Sequence, residues 1–439
     1  MKESKQNGRL TNWLISMPAP VFISFTIASA FSTYFCMYAF RKPFSAAEYE
    51  DLKLFDTELE LKTVFVVSQI VGYAISKVIG IKVCSEVTRN QRTRMLLAMI
   101  FLAQFALLCF AVLPNDLKVV AIFCNGLPLG MVWGLVVWYL EGRRLSEMLL
   151  AGLSCSFIVA SGVVKDVGRW LMSVHQVDQF WMPFVTGMSF FLPFILSVWL
   201  FNQAPQGTDE DVRARVERRT MNGEQRWQFV KQFCVGLIML MIAYFFLTAY
   251  REFRDNFGAE IFRALGYGEE PAIFTRSELW VAFGVVTALG LLTLIKNNRW
   301  GLIGAFAIMT AGTAMMGLGT LSYDQGQISG LTWMILCGLG SYLAYVPYGS
   351  VLFDRLIAST GAVGTAVFAI YVADAIGYGG AITVLLSKDM LAADVSRLDF
   401  FRYFTYFMSI LGTALLLASC CYFLLFHNAK HRQHQKASS

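Results

Sequence analysis

Charged residues are scarce in this sequence. They make up 15% of the 439 residues, whereas 56% are hydrophobic and the mean hydropathy is +0.54. Soluble domains usually carry about 25% charged residues. Apolar runs long enough to cross a bilayer recur along the chain. The composition therefore excludes an ordinary soluble protein and predicts an all-α integral membrane protein with the lipid bilayer as its partner.

The net charge of +6 does not point to a nucleic-acid partner. In a membrane protein, an excess of lysine and arginine normally lies in the cytoplasmic loops. We therefore expect no nucleic acid to bind.

Patterns that would support catalysis, ATP use or metal binding are also missing. The sequence has no GxxxxGK[ST] loop, no HExxH helix and no CxxC pair. Most of the nine cysteines lie in apolar runs, where they serve as small hydrophobic residues. Three of the four histidines lie near the C-terminus, at His427, His431 and His434. We expect the protein not to be an enzyme and to bind neither a metal nor another cofactor.

The apolar runs predict about twelve membrane-spanning helices in two halves. Residues 203–228 form a long, arginine-rich polar linker, which separates a first half at 1–202 from a second half at 229–439. Two pseudo-symmetric halves of six helices around a site at the membrane midplane are typical of secondary transporters. The predicted spans are 19–40, 63–83, 94–113, 118–140, 148–171, 181–202, 229–250, 278–296, 300–321, 328–353, 362–386 and 401–426.

The distribution of lysine and arginine predicts the orientation in the membrane. The even-numbered turns and both termini are rich in basic residues, whereas the first odd-numbered loop is rich in acidic ones. Two other odd-numbered loops, 251–277 and 387–400, contain basic residues as well. The polar start at 1–9 is followed by an apolar run without a small-residue cleavage site, so we expect no secretory signal peptide. We expect both termini in the cytoplasm and the bacterial inner membrane as the location.

Several ionisable residues fall inside the predicted spans. A charge near the middle of a bilayer costs a few kcal/mol or more, so it normally faces a water-filled path or a partner of opposite charge. One interpretation is an internal salt bridge of Lys165 or Arg169 with Asp374. The other is a coupling network in which Asp166 or Asp374 carries a proton. The residues concerned are Lys77, Lys165, Asp166, Arg169 and Asp374.

Arg41 and Arg251 hold matching positions in the two halves. Each ends the first predicted helix of its half after an aromatic lead-in, YAFR at 38–41 and TAYR at 248–251. At a helix end, Arg41 and its neighbour Lys42 could extend to the membrane interface. Matching positions of two repeated halves instead converge on a central axis, where two planar guanidinium groups would form a clamp for phosphate or carboxylate oxygens.

These motifs resemble those of a known family. YAFRKPFS at 38–45 resembles the first-helix signature of the organophosphate:phosphate antiporters of the major facilitator superfamily, which include the glycerol-3-phosphate and hexose-phosphate exchangers. GYAISKVIG at 72–80 is similar to their second helix, whose lysine lines the substrate pocket and corresponds here to Lys77. CSEVTRNQR at 84–92 resembles the loop that follows, with Glu86 where the superfamily usually has Asp.

The resemblance continues in the second half. YREFRD at 250–255 resembles the seventh-helix motif, which gives Arg251 the role of a second phosphate-binding arginine. AYVPYGS at 344–350 and IGYGGA at 376–381 are similar to the tenth and eleventh helices, whose tyrosines would flank the substrate. Tyr38 lies one turn before Arg41 and joins the same set. The candidate substrate-binding residues are Arg41, Lys77, Arg251, Tyr38, Tyr345 and Tyr378.

The fifth predicted helix departs from the family. CSFIVASG at 155–162 offers Phe157 where the antiporters place a histidine, and Lys165, Asp166 and Arg169 follow lower in the same helix. Three functions therefore stay open. The first is alternating-access transport of a small anionic solute, such as an organophosphate in exchange for phosphate. The second is proton-coupled symport of another solute, and the third is a transporter-like membrane sensor. We expect the protein to act as a monomer.

Overall fold

The chain folds into two compact units of helices. The computed structural model describes residues 9–50, 52–54, 57, 59–86, 89–140, 146–204, 223–360 and 366–438. The first unit comprises Met1–Ala47 and Ser68–Val216, and the second comprises Glu48–Val67 and Glu217–Ser439. Most of the predicted linker at 203–228 lies outside the described residues.

The first unit is built mainly from long helices that pack in pairs. Helix α2 packs against α6 and α7, and α4 packs against α5 and α7. A short 3₁₀ turn at Pro43–Ala46 follows α2. The helices are α1 (Arg9–Ser16), α2 (Ala19–Tyr38), α3 (Leu61–Glu86), α4 (Arg89–Val112), α5 (Asn115–Leu140), α6 (Ser146–Ser173) and α7 (Met182–Gln203), and α3 begins in the second unit.

The second unit contains nine further helices in its described residues. They are α8 (Gly223–Gln232), α9 (Cys234–Asn256), α10 (Gly258–Ala264), α11 (Ile273–Thr293), α12 (Asn298–Asp324), α13 (Gly330–Ser350), α14 (Leu352–Thr360), α15 (Ala366–Leu391) and α16 (Arg397–Ser438). Helix α9 packs against α15 and α16, and α13 packs against α12 and α11. Gly380 allows α15 to lie close to α9, because a side chain at this position would overlap the carbonyl oxygen of Phe245.

The helices confirm the prediction of an all-α membrane protein. Among the described residues, ten helices are long and apolar enough to cross a bilayer. Helices α2 and α6, of 20 and 28 residues, lie at the two remaining predicted spans. Large apolar side chains such as Leu192, Leu294 and Ile410 are exposed on the outer surface of the units, where a bilayer would solvate them. The structure therefore has the apolar outer surface that the hydrophobic composition predicts.

The helix ends differ from the predicted span ends where charged residues find partners. We expected the seventh span to end at residue 250, but α9 continues to Asn256. The added turn contains Arg251, Glu252 and Arg254, all of which are buried. Hydropathy ends a span at the first charge, whereas the helix continues because these charges are neutralised within the protein.

Ion pairs hold the segment Glu48–Val67 in the second unit. The ammonium group of Lys62 lies 2.6 Å from a carboxylate oxygen of Glu260, and Arg263 lies 2.6 Å from Glu48. Lys62 is 1% exposed. Burial and the negative charge of Glu260 raise the pKa of Glu48, although the positive charge of Arg263 acts in the opposite direction. This segment, early in the sequence, is therefore fixed by charges on α10.

Arg397 makes a second connection to the same segment. At the start of α16, its guanidinium pairs with Glu60 and donates a hydrogen bond of 3.1 Å to the hydroxyl of Thr63. The guanidinium carbon also lies 3.8 Å from the centre of the Phe257 ring, a distance typical of a cation–π contact. Asp389 of α15 lies 3.5 Å from the same guanidinium. Arg397 thus connects the segment to α15 and α16 and to Phe257, which lies between α9 and α10.

We predict that Lys62→Met destabilises the protein by about 3 kcal/mol, because it leaves Glu260 without its buried partner. The double variant Lys62→Met/Glu260→Met removes both charges and should recover most of the loss. Thermal unfolding of the purified protein measures both effects.

The exposed pair of Arg276 and Glu270 is the matched control. Their side chains are 62% and 45% exposed, so Glu270→Gln should change stability by less than about 1 kcal/mol. A double variant that is no more stable than Lys62→Met would contradict a buried ion pair as the cause.

Candidate functional site

A turn after α2 places Arg41 inside the first unit. The helix ends at Tyr38, and a 3₁₀ turn begins at Pro43, whose missing N–H is tolerated in the first turn of a helix. The side-chain amide of Gln69 donates to the carbonyl oxygen of Arg41 at 2.9 Å, and that of Asn125 donates to the carbonyl oxygen of Phe40 at 3.0 Å. Amides from α3 and α5 therefore satisfy the carbonyl groups that the helix end exposes.

Arg41 lies against tyrosine rings and not at an exposed interface. The residue is 4% exposed and Lys42 is 1% exposed, so the interpretation that both extend to the membrane surface is wrong. The guanidinium carbon lies 4.1 Å from the centre of the Tyr73 ring and 5.7 Å from that of Tyr38. The ammonium group of Lys77 lies 5.5 Å from the same Tyr73 ring.

The first-unit site is the set Arg41, Lys77, Tyr38 and Tyr73. Its first three members are predicted from the sequence, and the structure brings them together around the fourth. Tyr73 is missed, although it stands four residues before Lys77 in GYAISK and thus on the same helix face. The guanidinium of Arg41 and the ammonium group of Lys77 thus both lie near one buried ring.

Further aromatic rings extend the first-unit site. Tyr34 lies 5.6 Å from Tyr38 and 5.0 Å from Trp133, measured between ring centres, and Trp133 lies 6.2 Å from Phe157. The rings meet edge to face, a favourable arrangement for aromatic pairs. Phe157, the residue that replaces the family's histidine, therefore belongs to an aromatic wall formed by α2, α5 and α6.

In the second unit, Arg251 is buried on α9 between a ring and a carboxylate. Its guanidinium carbon lies 4.5 Å from the centre of the Tyr345 ring of α13. Its Nη2 lies 2.5 Å from Oε1 of the adjacent Glu252. Arg251 and Tyr345, predicted separately from two motifs, are thus in contact. Glu252 is missed as a site residue, because a carboxylate next to an arginine is usually a solvated neighbour.

Tyr244 connects the remaining predicted residues of the second unit. Its ring stacks on Tyr345 with centres 5.3 Å apart, and its hydroxyl donates to Oδ1 of Asp374 at 2.8 Å. Tyr378 is buried on α15, the helix that carries Asp374. Tyr244 stands seven residues before Arg251, two helical turns along the same face, which is the signal that could have identified it. The second-unit site is the set Arg251, Glu252, Tyr244, Tyr345, Asp374 and Tyr378.

The charges of the fifth predicted helix all lie on α6 of the first unit. Lys165 is buried, and Asp166 and Arg169 are half-buried. The predicted salt bridge of Lys165 or Arg169 with Asp374 would join residues of different units and stays a prediction. A role of these residues in coupling also stays a prediction.

Arg254 has a different environment from Arg251. Its Nη1 lies 2.8 Å from Oε1 of Glu278 on α11, and its Nη2 donates to the carbonyl oxygen of Met334 on α13 at 3.0 Å. A side chain at Gly338 would overlap this guanidinium, so the glycine makes the space that it occupies. Arg254 therefore connects three helices of the second unit and is not a site residue.

We predict that Tyr345→Leu destabilises the protein by about 1–2 kcal/mol more than Tyr345→Phe does, because phenylalanine keeps both the stacking on Tyr244 and the ring beneath Arg251. Thermal unfolding of the two variants measures the difference.

Tyr403 provides the control for this prediction. It is 63% exposed and lies 6.0 Å from the guanidinium carbon of Arg402, so Tyr403→Leu should have a much smaller effect. Equal stabilities of Tyr345→Leu and Tyr345→Phe would show that the ring does not stabilise the buried guanidinium.

Comparison with known structures and families finds a similar fold and a matching family. The structure is similar to the crystal structure of a D-xylose-proton symporter, with a TM-score of 0.62 and 13% identity over 91% of this chain and 97% of that one. At this identity the likeness shows the fold alone, which is the major facilitator fold. No curated protein matches the sequence. The model of a family described as "Family of unknown function (DUF5690)" matches residues 43–425. The chain therefore belongs to this family.

Proposed function

We propose that this protein is a secondary transporter that moves a small anionic solute by alternating access. Arg41, Lys77 and Arg251 bind the anion, and Tyr38, Tyr345 and Tyr378 line its site. The likeness to a proton symporter in fold supports a transporter over the sensor and over an enzyme.

One observation supports an anionic solute. Each unit buries one of these arginines against a tyrosine ring. The distance from the guanidinium carbon to the ring centre is 4.1 Å for Arg41, just after α2, and 4.5 Å for Arg251, near the end of α9. Burying a guanidinium inside a membrane protein is costly, and such a residue normally serves a substrate path or a partner. Planar guanidinium groups bind phosphate or carboxylate oxygens through two parallel hydrogen bonds. Two of them, with Lys77 beside one, suit a phosphate ester better than a neutral sugar.

Two features of the protein bear on which solute is carried and on how transport is coupled. The RKPF motif, in which Arg41 and Lys42 are buried, supports an organophosphate exchanged for phosphate. The hydrogen bond between Tyr244 and Asp374 supports the alternative of proton-coupled symport, because it holds a carboxyl group inside the helix bundle. We further propose a monomer in the bacterial inner membrane with both termini in the cytoplasm.

We predict that phosphate esters or inorganic phosphate raise the melting temperature of the purified protein, whereas neutral sugars do not. A ligand at about 100 times its dissociation constant stabilises the folded state by about 2.7 kcal/mol. Carboxylates are tested in the same way as a further class of anion. Arg41→Ala and Arg251→Ala should each abolish both this shift and the uptake of the solute into proteoliposomes.

Arg276→Ala is the control for the loss of a positive charge. Arg276 is exposed and pairs with Glu270, so this variant should keep the full ligand response. Normal uptake by both Arg41→Ala and Arg251→Ala would refute the proposed roles. A response to neutral sugars alone would refute an anionic solute.

A further inference from the structure

The contact between Arg251 and Glu252 is unusual for neighbours on a helix. Consecutive residues of an α-helix point about 100° apart and do not normally face each other. Here Nη2 of Arg251 nevertheless lies 2.5 Å from Oε1 of Glu252, and the two side chains are 8% and 1% exposed. Both side chains therefore turn toward one another inside the protein.

The rest of the α9 turn holds the carboxylate in place. The side-chain amide of Asn256 donates to Oε2 of Glu252 at 3.0 Å and to its carbonyl oxygen at 2.8 Å. The guanidinium carbon also lies 4.5 Å from the centre of the Tyr345 ring. The cation that the proposed function assigns to the solute thus already has an anion bound to it.

A second anion at Arg251 has to compete with this carboxylate. Two negative charges beside one guanidinium repel each other, and the repulsion is strong where water is scarce. Protonation of the carboxylate removes the competition and leaves the guanidinium charged.

We infer that Glu252 is a proton-binding residue that couples anion binding at Arg251 to proton uptake. This inference rests on the proposed function. As the anion binds, one proton from water adds to a carboxylate oxygen of Glu252, which becomes a neutral carboxylic acid. Arg251 exchanges its bond to Glu252 for a bond to the anion and keeps its own proton. When the anion leaves, Glu252 loses the proton and pairs with Arg251 again. One proton therefore travels with each anion.

Other ionisable groups near α9 define the controls. On the neighbouring helices they include Tyr345 and Tyr348 of α13, Asp374, Tyr378, Lys388 and Asp389 of α15, Glu260 and Arg263 of α10, Arg397 of α16 and Lys231 of α8, and α9 itself adds Tyr244, Tyr250, Arg254 and Asp255. Glu260, Arg263 and Arg397 pair with the segment Glu48–Val67. Asp374, bonded to Tyr244, is the rival carboxyl group in this site.

The test uses the full-length protein and two probes, sodium phosphate and sodium sulfate. Sulfate keeps the same charge across the pH range, so it controls for the titration of phosphate itself. Apparent affinity, measured by thermal shift, should weaken with rising pH, by up to about tenfold per pH unit where the binding-competent protonated form is the minor one. Glu252→Gln mimics the protonated carboxyl, so its affinity for sulfate should equal that of the wild type at acid pH and stay constant.

Two further variants locate the proton. Glu270→Gln removes an exposed carboxylate and should keep the pH dependence of the wild type. Asp374→Asn should also keep it if Glu252 is the proton site. A pH-independent wild type, or a Glu252→Gln variant with the dependence of the wild type, would overturn the inference. So would loss of the dependence in Asp374→Asn alone.

A measurement on the wild type does not depend on how the variants fold. In weakly buffered solution, at a pH where Glu252 is ionised before sulfate binds, the protein should take up close to one proton for each sulfate ion bound. Binding without proton uptake would overturn the inference and leave the proposed function intact. No binding of phosphate, sulfate or any other anion by the wild type or Glu252→Gln would refute the proposed function itself, and the pair would then be structural.

Discussion

The structure depends on neutralising positive charge within apolar helix bundles. A guanidinium away from water needs a carboxylate, carbonyl groups or an aromatic face, and the described arginines use each of these. Arg254 is bound by Glu278 and the carbonyl of Met334, Arg397 by Glu60 and the Phe257 ring, and Arg251 by Glu252 and the Tyr345 ring. These requirements decide where helices end and which helices pack together.

The two arginines of the proposed anion site have different electrostatic surroundings. Arg41 and Lys77 both lie near the ring of Tyr73. Arg251 forms a nearly neutral pair with Glu252. Equivalent positions in a repeated architecture have thus acquired different chemistry.

The sequence predicts individual helices and their charged residues better than the contacts between helices. Hydropathy is a local property, so it places most spans, and helical spacing correctly places Tyr38 near Arg41. Lys77 is predicted from the family resemblance instead. Tyr244 and Tyr345 are about a hundred residues apart in sequence and stack only because α9 packs on α13. The pairing of Arg251 with Glu252 contradicts the spacing rule. Such contacts follow from packing and the cost of buried charge, which residue patterns do not encode.

The segment Glu48–Val67 also has a consequence for how the chain is made. Its acidic residues and Lys62 leave the ribosome early, whereas Arg263 is made some two hundred residues later and Arg397 more than three hundred later. Until then, the start of α3 lacks the helices with which it folds. The second unit consequently closes late and through contacts distant in sequence, which slows folding and prolongs the exposure of unpaired charges. Cutting the gene at the central linker would separate these partners, so the two halves of the sequence are not two independent folding units.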